Sequence, residues 1–133
     1  MPPSRQAMIA ALKSTVVPYL RERGYRGSFP HLRRTSASGV DLITFQFDRN
    51  GGGFIVEVAA CPLEGITTHW GKVIGPSKVT AWDLHPEQRT RIKPRDGAGT
   101  ESWFRYDSGD YDSVARETLI LLVPATAARG ASA

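Results

Sequence analysis

Two stretches of the chain alternate between apolar and polar side chains and are separated by a turn-forming stretch. The first, VDLITFQF, begins at Val40, the second, FIVEVAAC, begins at Phe54, and residues Asp48 to Gly53 lie between them. Alternation places every second side chain of a strand on the same face. The sequence therefore predicts a β-hairpin over residues 40–61.

The apolar positions also predict the register of this hairpin. Bringing the apolar faces together puts Phe47 opposite Phe54, because a shift by one residue would move every side chain to the wrong face. The same register pairs Phe45 with Val56 and Ile43 with Val58 on that face, and Gln46 with Ile55, Thr44 with Glu57 and Leu42 with Ala59 on the other.

Apolar residues three or four positions apart predict a helix before the hairpin. The stripe consists of Ile9, Leu12, Val16 and Leu20. Ser4 suits the N-cap of this helix, and Gly24 suits its end. Pro18 has no N–H to donate and disfavours helical geometry in the residue before it. We therefore expect a kinked helix or two separate pieces.

Shorter patterns predict the rest of the sheet. Residues 29–34 are typical of a strand that Pro30 restricts to the sheet edge. Residues 62–82 show no clear period and predict a long irregular connection. Further short strands are expected at residues 79–84, 89–93 and 102–106, with a turn at residues 85–88.

A final helix completes the prediction of an α+β fold. The helix is expected to begin after Asp110 or Asp112 and to end near Val123, because Pro124 follows. We expect one domain over residues 1–123, an antiparallel meander of four to six strands with the N-terminal and C-terminal helices packed on one face. Residues 124–133 are expected to form a disordered tail.

The apolar runs and the cysteine count predict a cytoplasmic protein without membrane contact. The longest apolar run, Leu119 to Val123, falls far short of the ~20 residues that cross a bilayer. The N-terminus lacks the order of charged, apolar and small residues found in a secretion signal. The single cysteine, Cys61, cannot form an intramolecular disulfide.

Positive charge is concentrated in two segments. Residues 1–34 contain seven Lys or Arg and one acid, Glu22, in a chain of net charge +4. The candidate basic patch comprises Arg21, Arg23, Arg26, Arg33, Arg34, Arg89 and Arg91. Basic segments at residues 5–34 and 89–105 predict nucleic-acid binding as one alternative function. The other interpretation is a solvated helix face together with edge-strand charges.

No group of residues in the sequence has the spacing of a known catalytic or metal site. Cys61 with a histidine base would suit nucleophilic catalysis, but a cysteine at the end of an apolar strand is usually buried and inert. The candidate metal ligands are His31, His69 and His85 with Asp83 or Cys61, and none of their spacings is that of a zinc motif. We predict no catalytic residue, no metal site and no cofactor.

The polar face of the hairpin and the loop after it form the candidate binding surface. Its residues are Thr44, Gln46, Glu57, His69 and Trp70. A carboxylate beside an amide and a hydroxyl could line a ligand pocket if the His69-Trp70 loop folds over them. The alternative is a solvent-exposed face with normal polar alternation, which burial of Glu57 would disfavour. Trp82 and Trp103 are expected mainly in the core, with an interface as the alternative.

These features favour a non-enzymatic binding or protein-interaction module. Its most plausible partner is another protein, contacted through the sheet edge and the Trp70 loop, and a homodimer through an edge strand is an alternative. Nucleic-acid binding is the second function considered. A small-molecule-binding protein or an enzyme with a pocket on the open sheet face is the third.

Short motifs spread over residues 9–122 carry a family resemblance. They are Leu20, Gly24-Tyr25-Arg26, Phe29, Arg33-Arg34, Val40, Leu42, Phe45-Gln46, Phe54-x-Val56-x-Val58, Arg91-Ile92 and Trp103-Phe104. This pattern resembles the bacterial Domain of Unknown Function 4304 family. The chain departs from it with Tyr25 where Phe is usual, and with Asp48 and Glu57. The resemblance implies a compact α+β domain of unassigned function, and it carries over no catalytic residues.

Overall fold

The N-terminal helix is divided at Val16, as Pro18 predicts. The computed structural model describes residues 4–94 and 103–126. Helix α1 spans Arg5–Thr15 and helix α2 spans Val17–Glu22. The Ser4 side chain caps α1 by accepting a hydrogen bond from the Ala7 N–H at 3.1 Å.

Within the described ranges, seven strands and one further α-helix follow. The strands are β1 His31–Ser36, β2 Gly39–Phe47, β3 Gly53–Cys61, β4 Ile66–Thr67, β5 Val73–Ile74, β6 Thr90–Ile92 and β7 Phe104–Arg105, and helix α3 spans Tyr111–Ala125. Strands β1, β2, β3 and β6 lie side by side in that order, and β7 also pairs with β3. The result is a five-stranded antiparallel sheet beside a separate β4–β5 hairpin, which confirms the predicted α+β fold.

The hairpin formed by β2 and β3 has the predicted register. Phe47 lies opposite Phe54, and the five other predicted pairs are also present. Alternation along these strands therefore gives the sheet two chemically different faces. We call the face that bears Phe45 and Phe54 the first face, and the face that bears Thr44 and Glu57 the second face.

The first face carries the main hydrophobic core. Its buried sheet residues include Leu32, Ile43, Phe45, Phe54, Val56 and Phe104, and α1, α2 and α3 contribute Met8, Leu12, Leu20, Ala115 and Leu122. Phe54 is completely buried and stacks on Phe104, with ring centroids 5.1 Å apart and planes 11° apart. Removal of this aromatic and aliphatic surface from water is the dominant stabilising contribution on this side.

The second face is covered by the segment between β3 and β6. We call residues 62–89 the cover segment. Its Ile74, Val79, Ala81 and Leu84 pack with Val40, Leu42 and Cys61 of the sheet in a second, smaller hydrophobic cluster. The face that the sequence analysis treated as open is therefore closed at its centre, and the polar residues there are buried.

One predicted strand does not form. Residues 79–84 form a 3-10 helix at Ala81–Asp83 instead of a strand, because Asp83 Oδ2 accepts hydrogen bonds from the N–H and Oγ1 of Thr80 and so stabilises a tight turn. A second 3-10 helix, Pro86–Gln88, occupies the predicted turn.

Helix α3 continues past its predicted end. Pro124 lies inside its last turn, and the Thr126 N–H and Oγ1 both donate to the Leu122 carbonyl, one of the terminal acceptors of the helix. The part of the predicted tail beyond Thr126 lies outside the described residues. Within the described residues, no helix has both the length and the apolar character needed to cross a bilayer.

Candidate functional site

A buried carboxylate with two arginine partners lies at the centre of the second face. Glu57 of β3 is only 6% exposed. Arg89 Nη1 donates to its Oε1 at 3.0 Å, and Arg91 Nη2 donates to its Oε2 at 3.4 Å. Arg91 is the cross-strand partner of Glu57 on β6, and Arg89 is two positions earlier, so the alternation of an extended chain brings both side chains to the same face.

This cluster has an excess of positive charge. Glu57 and Arg89 are largely removed from water, with side chains 7% and 17% exposed. Charges removed from water require partners, because burial penalises an isolated ion by several kcal/mol. One carboxylate here faces two guanidinium groups. In addition, the buried Nε of Arg89 has no hydrogen-bond partner among the described residues.

Thr44 is also buried, and the side chains of His31 and Trp82 connect it to the protein surface. His31 Nδ1 lies 3.1 Å from Thr44 Oγ1, within hydrogen-bond distance. The His31 ring makes an edge contact with Trp82, at a centroid separation of 4.9 Å. Burial lowers the pKa of His31, and the positive charge of Arg33 lowers it further. The imidazole is therefore held in its neutral form.

The remaining predicted surface residues are separated from Thr44 and Glu57. Gln46 is exposed and lines a different depression, of about 540 Å³, together with Trp82 and Trp103. His69 and Trp70 lie in the turn between β4 and β5, where their rings meet edge to face at 4.7 Å. The candidate binding surface thus divides into three parts, which are the buried Thr44 and Glu57, the exposed Gln46, and the exposed turn that carries His69 and Trp70.

A concave site lies between the β4–β5 hairpin and residues 82–89. We call it the cover pocket; its volume is about 520 Å³. Its chemically distinctive lining residues are Cys61, His69 and Trp70 on one side and Trp82, Asp83, His85 and Arg89 on the other. Arg89 therefore connects the buried Glu57 cluster to this pocket. Trp70 and Trp82 are 62% and 44% exposed, so large aromatic surfaces remain open to a ligand.

The residues considered for covalent or metal chemistry also line the cover pocket, except for His31. Burial raises the pKa of the Cys61 thiol, and the nearby Glu64 charge raises it further, which disfavours the reactive thiolate. Across residues 4–94 and 103–126, no three His, Cys, Asp or Glu side chains are grouped in a way that would hold a metal ion.

The seven arginines of the candidate basic patch are divided between different parts of the molecule. Arg21 and Arg26 donate to backbone carbonyls near the end of α2, and Arg23 lies over the Tyr19 ring. Arg33 Nε and Nη2 donate to the Val79 carbonyl on the second face. Arg34 pairs with Asp41 on the first face.

Adjacent strand residues point to opposite faces, so Arg33 and Arg34 cannot belong to the same surface. Arg89 and Arg91 are engaged with Glu57. Nucleic-acid binding through these residues stays a prediction.

Strand β1 forms one edge of the sheet, and part of its outer side is already paired. The Arg26 N–H donates to the Arg33 carbonyl at 2.7 Å, and the Arg33 N–H donates back to the Arg26 carbonyl at 2.9 Å. The His31 N–H donates to the Ser28 carbonyl. These contacts shorten the row of free backbone groups that a second copy would need. A homodimer through this edge also stays a prediction.

The roles of Trp82 and Arg89 differ from those that the sequence predicts. Trp82 was expected mainly in the core, but it is 44% exposed and lines the cover pocket. Arg89 was assigned to a basic patch instead of a pairing with Glu57. One signal was present: Arg89 and Arg91 are two positions apart in a predicted strand, the spacing that puts both on one face.

Comparisons with known proteins identify a family and no closer relative. The sequence model of a family described as a domain of unknown function (DUF4304) matches residues 16–124. No curated protein and no solved structure matches the chain.

Proposed function

Since the chain belongs to the DUF4304 family, whose description assigns no activity, we propose from its geometry that it is a non-enzymatic protein-interaction module. Its binding site is the cover pocket, with Trp70 and Trp82 as the principal contacts. The partner presents a short polypeptide segment that enters between the β4–β5 hairpin and residues 82–89. The proposal extends to a bacterial cytoplasmic location, which a single buried cysteine supports.

The observation that carries this proposal is the position of the exposed large hydrophobic residues. Six such side chains occur among the described residues, and four of them, Leu63, Trp70, Val73 and Trp82, belong to the cover segment. Tryptophan is enriched among the residues that dominate binding energy at protein interfaces. Two indoles on one concave site therefore favour protein recognition over a purely structural role for this segment.

Selection from a library of short random peptides tests this proposal. The immobilised protein is used to select binders, and the affinity of each synthesised peptide is then measured by fluorescence anisotropy. We expect Trp70→Ala to weaken the binding of the selected peptides by about thirtyfold or more, because truncation of a central aromatic contact costs ~2 kcal/mol or more.

Ile120→Ala is the matched control. Ile120 is 50% exposed and lies on α3, on the opposite side of the sheet, so its truncation removes exposed apolar surface of similar kind without altering the cover pocket. Its peptide affinities should equal those of the unmodified protein. Failure to select any binder, or equal loss in the two variants, would count against the cover pocket as an interaction site.

One observation favours a small-molecule ligand as the second candidate. The volume of the cover pocket, about 520 Å³, lies within the ~300–1,000 Å³ of typical small-molecule sites. Under this alternative, a library of drug-sized fragments yields binders that contact both indoles, whereas the peptide library yields none.

A further inference from the structure

Arg89 lines the cover pocket with most of its hydrogen-bonding capacity unused. A guanidinium group carries five N–H donors. Only Nη1 of Arg89 has a partner among the described residues, Glu57 Oε1 at 3.0 Å, and the buried Nε has none. Buried polar groups in proteins are nearly always satisfied, so this Nε requires a partner that the described protein residues do not supply.

The local charge indicates the sign of that partner. Glu57 also pairs with Arg91, so one carboxylate neutralises only one of two guanidinium groups. Asp83 is the carboxylate that lines the cover pocket, and its Oδ2 accepts hydrogen bonds from the N–H and Oγ1 of Thr80 at 2.8 and 3.2 Å. These bonds hold Asp83 in its own turn, and the ion pair that Arg89 makes among the described residues is with Glu57.

We infer that the partner segment is acidic, with an Asp or Glu side chain next to a large apolar side chain. The carboxylate accepts hydrogen bonds from Arg89, and the apolar side chain lies against Trp70 and Trp82. Charge complementarity selects the acidic segment, because hydrogen bonds between a guanidinium and a carboxylate are about twice as strong as neutral ones. This inference rests on the proposed function and assigns the chemistry of its partner.

Three small probes test the inference by NMR. The capped dipeptide N-acetyl-Asp-Phe-amide is compared with N-acetyl-Asn-Phe-amide, which has the same shape without the charge, and with N-acetyl-Phe, whose carboxylate is terminal. Binding is followed through the indole N–H signals of Trp70 and Trp82. We expect the Asp probe to bind about tenfold more tightly than the Asn probe, a difference of ~1.4 kcal/mol.

Variants then assign this preference to one arginine. Arg89→Gln should reduce the preference to about twofold or less, since the main acceptor contact is lost. Arg91→Gln is the matched control, because it removes an equal charge and a contact to the same Glu57 without altering the lining of the cover pocket. It should reduce the preference less than Arg89→Gln does, because Arg89 keeps its N–H donors on the cover pocket while Glu57 is left to neutralise its charge. Arg89→Lys, which keeps the charge but loses the planar fork, serves if Arg89→Gln does not fold, and an intermediate preference is expected.

The outcomes separate this inference from the proposed function. Equal binding of the Asp and Asn probes with shifts of both indoles overturns the acidic partner but leaves the cover pocket as the site. No indole shift with any probe contradicts both. If N-acetyl-Phe binds more tightly than the Asp probe, the pocket prefers a terminal carboxylate, and the inference of an Asp or Glu side chain is wrong. Equal loss in Arg89→Gln and Arg91→Gln overturns the assignment to Arg89.

Discussion

The first face of the sheet packs against three helices through large, fully buried aromatic and aliphatic side chains, whereas the second packs against short strands and 3-10 turns. The first face buries Phe45, Phe54 and Phe104. The second combines a smaller apolar cluster with the buried Glu57 and the half-exposed Trp82.

The two faces therefore differ in role: the first supplies most of the stability, and the second carries the proposed binding site. The helices cover the first face with regular apolar stripes, so few side chains there remain free to contact a partner. The cover segment instead leaves indole surface and an incompletely satisfied arginine beside a pocket. Segments with fewer buried apolar contacts open more easily and commonly carry binding sites. The second face is therefore where a ligand can be accommodated without disruption of the main core.

The largest expected effect comes from the first face. Phe54→Ala should lower the free energy of unfolding by ~3–5 kcal/mol, because it removes a completely buried ring and leaves a cavity against Phe104. Urea unfolding followed by circular dichroism measures this change. Leu42→Ala on the second face, where Leu42 is 1% exposed, should cost less, near ~2–3 kcal/mol. A larger loss in Leu42→Ala than in Phe54→Ala would reverse the comparison.

Removal of the buried carboxylate should have the next largest effect. Glu57→Gln leaves Arg89 largely buried without its counter-charge, and we expect a loss of about 2–3 kcal/mol. This loss is smaller than the ~3–5 kcal/mol expected when a fully buried ion pair is broken, because Arg91, the second partner of Glu57, is 43% exposed and can be hydrated. Chemical unfolding gives the value.

A double variant distinguishes pairing from packing at this position. Adding Arg89→Met to Glu57→Gln removes the unpaired charge and should recover part of the lost stability. If the double variant is less stable than the sum of the two single changes predicts, the pairing explanation is wrong.

A smaller effect is expected from pH at His31. Its pKa is lowered in the folded protein, mainly by burial, so the unfolded state binds more protons below the ordinary value of 6.5. His31 therefore leaves stability unaffected above about pH 6.5 and reduces it progressively as the pH falls below that value. The unfolding free energy of the unmodified protein minus that of His31→Gln should therefore decrease as the pH is lowered from 7 to 5. A pH-independent difference would show that burial does not perturb this imidazole.

The smallest effect on stability should come from the binding surface. Trp70→Ala should change the free energy of unfolding by less than ~0.5 kcal/mol, because the side chain is 62% exposed. The same variant is expected to lose peptide binding. Thermal unfolding provides the check, and a loss comparable with that of Leu42→Ala would place Trp70 among the stabilising contacts.

The hairpin and its register could be predicted because they depend on local alternation. All six predicted pairs from Phe47–Phe54 to Leu42–Ala59 are present. A shift by one residue would have exposed Phe45 or Val56, so the apolar pattern excluded it. The break in the N-terminal helix was predictable for a similar reason, since Pro18 acts on its own segment.

The cover segment could not be predicted because its contacts are distant in sequence. Arg33 anchors it through the Val79 carbonyl, 46 positions away. Glu57 meets Arg89 and Arg91 at separations of 32 and 34 positions. A polar residue on an alternating strand predicts exposure unless such partners are known, which is why a covered second face is only one of the two interpretations that the sequence supports.

The three tryptophans of the chain allow the most direct test of the account. A peptide selected from the random library is added to ¹⁵N-labelled protein, and the indole N–H signals are assigned with single Trp→Phe variants. Trp82 lines both the cover pocket and the depression beside Gln46, whereas of the other two Trp70 lines the former and Trp103 the latter. The account predicts saturable shifts of the Trp70 and Trp82 signals with little change at Trp103. Shifts of Trp103, with or without Trp82, in the absence of a Trp70 shift, or no shift of any of the three, would contradict it.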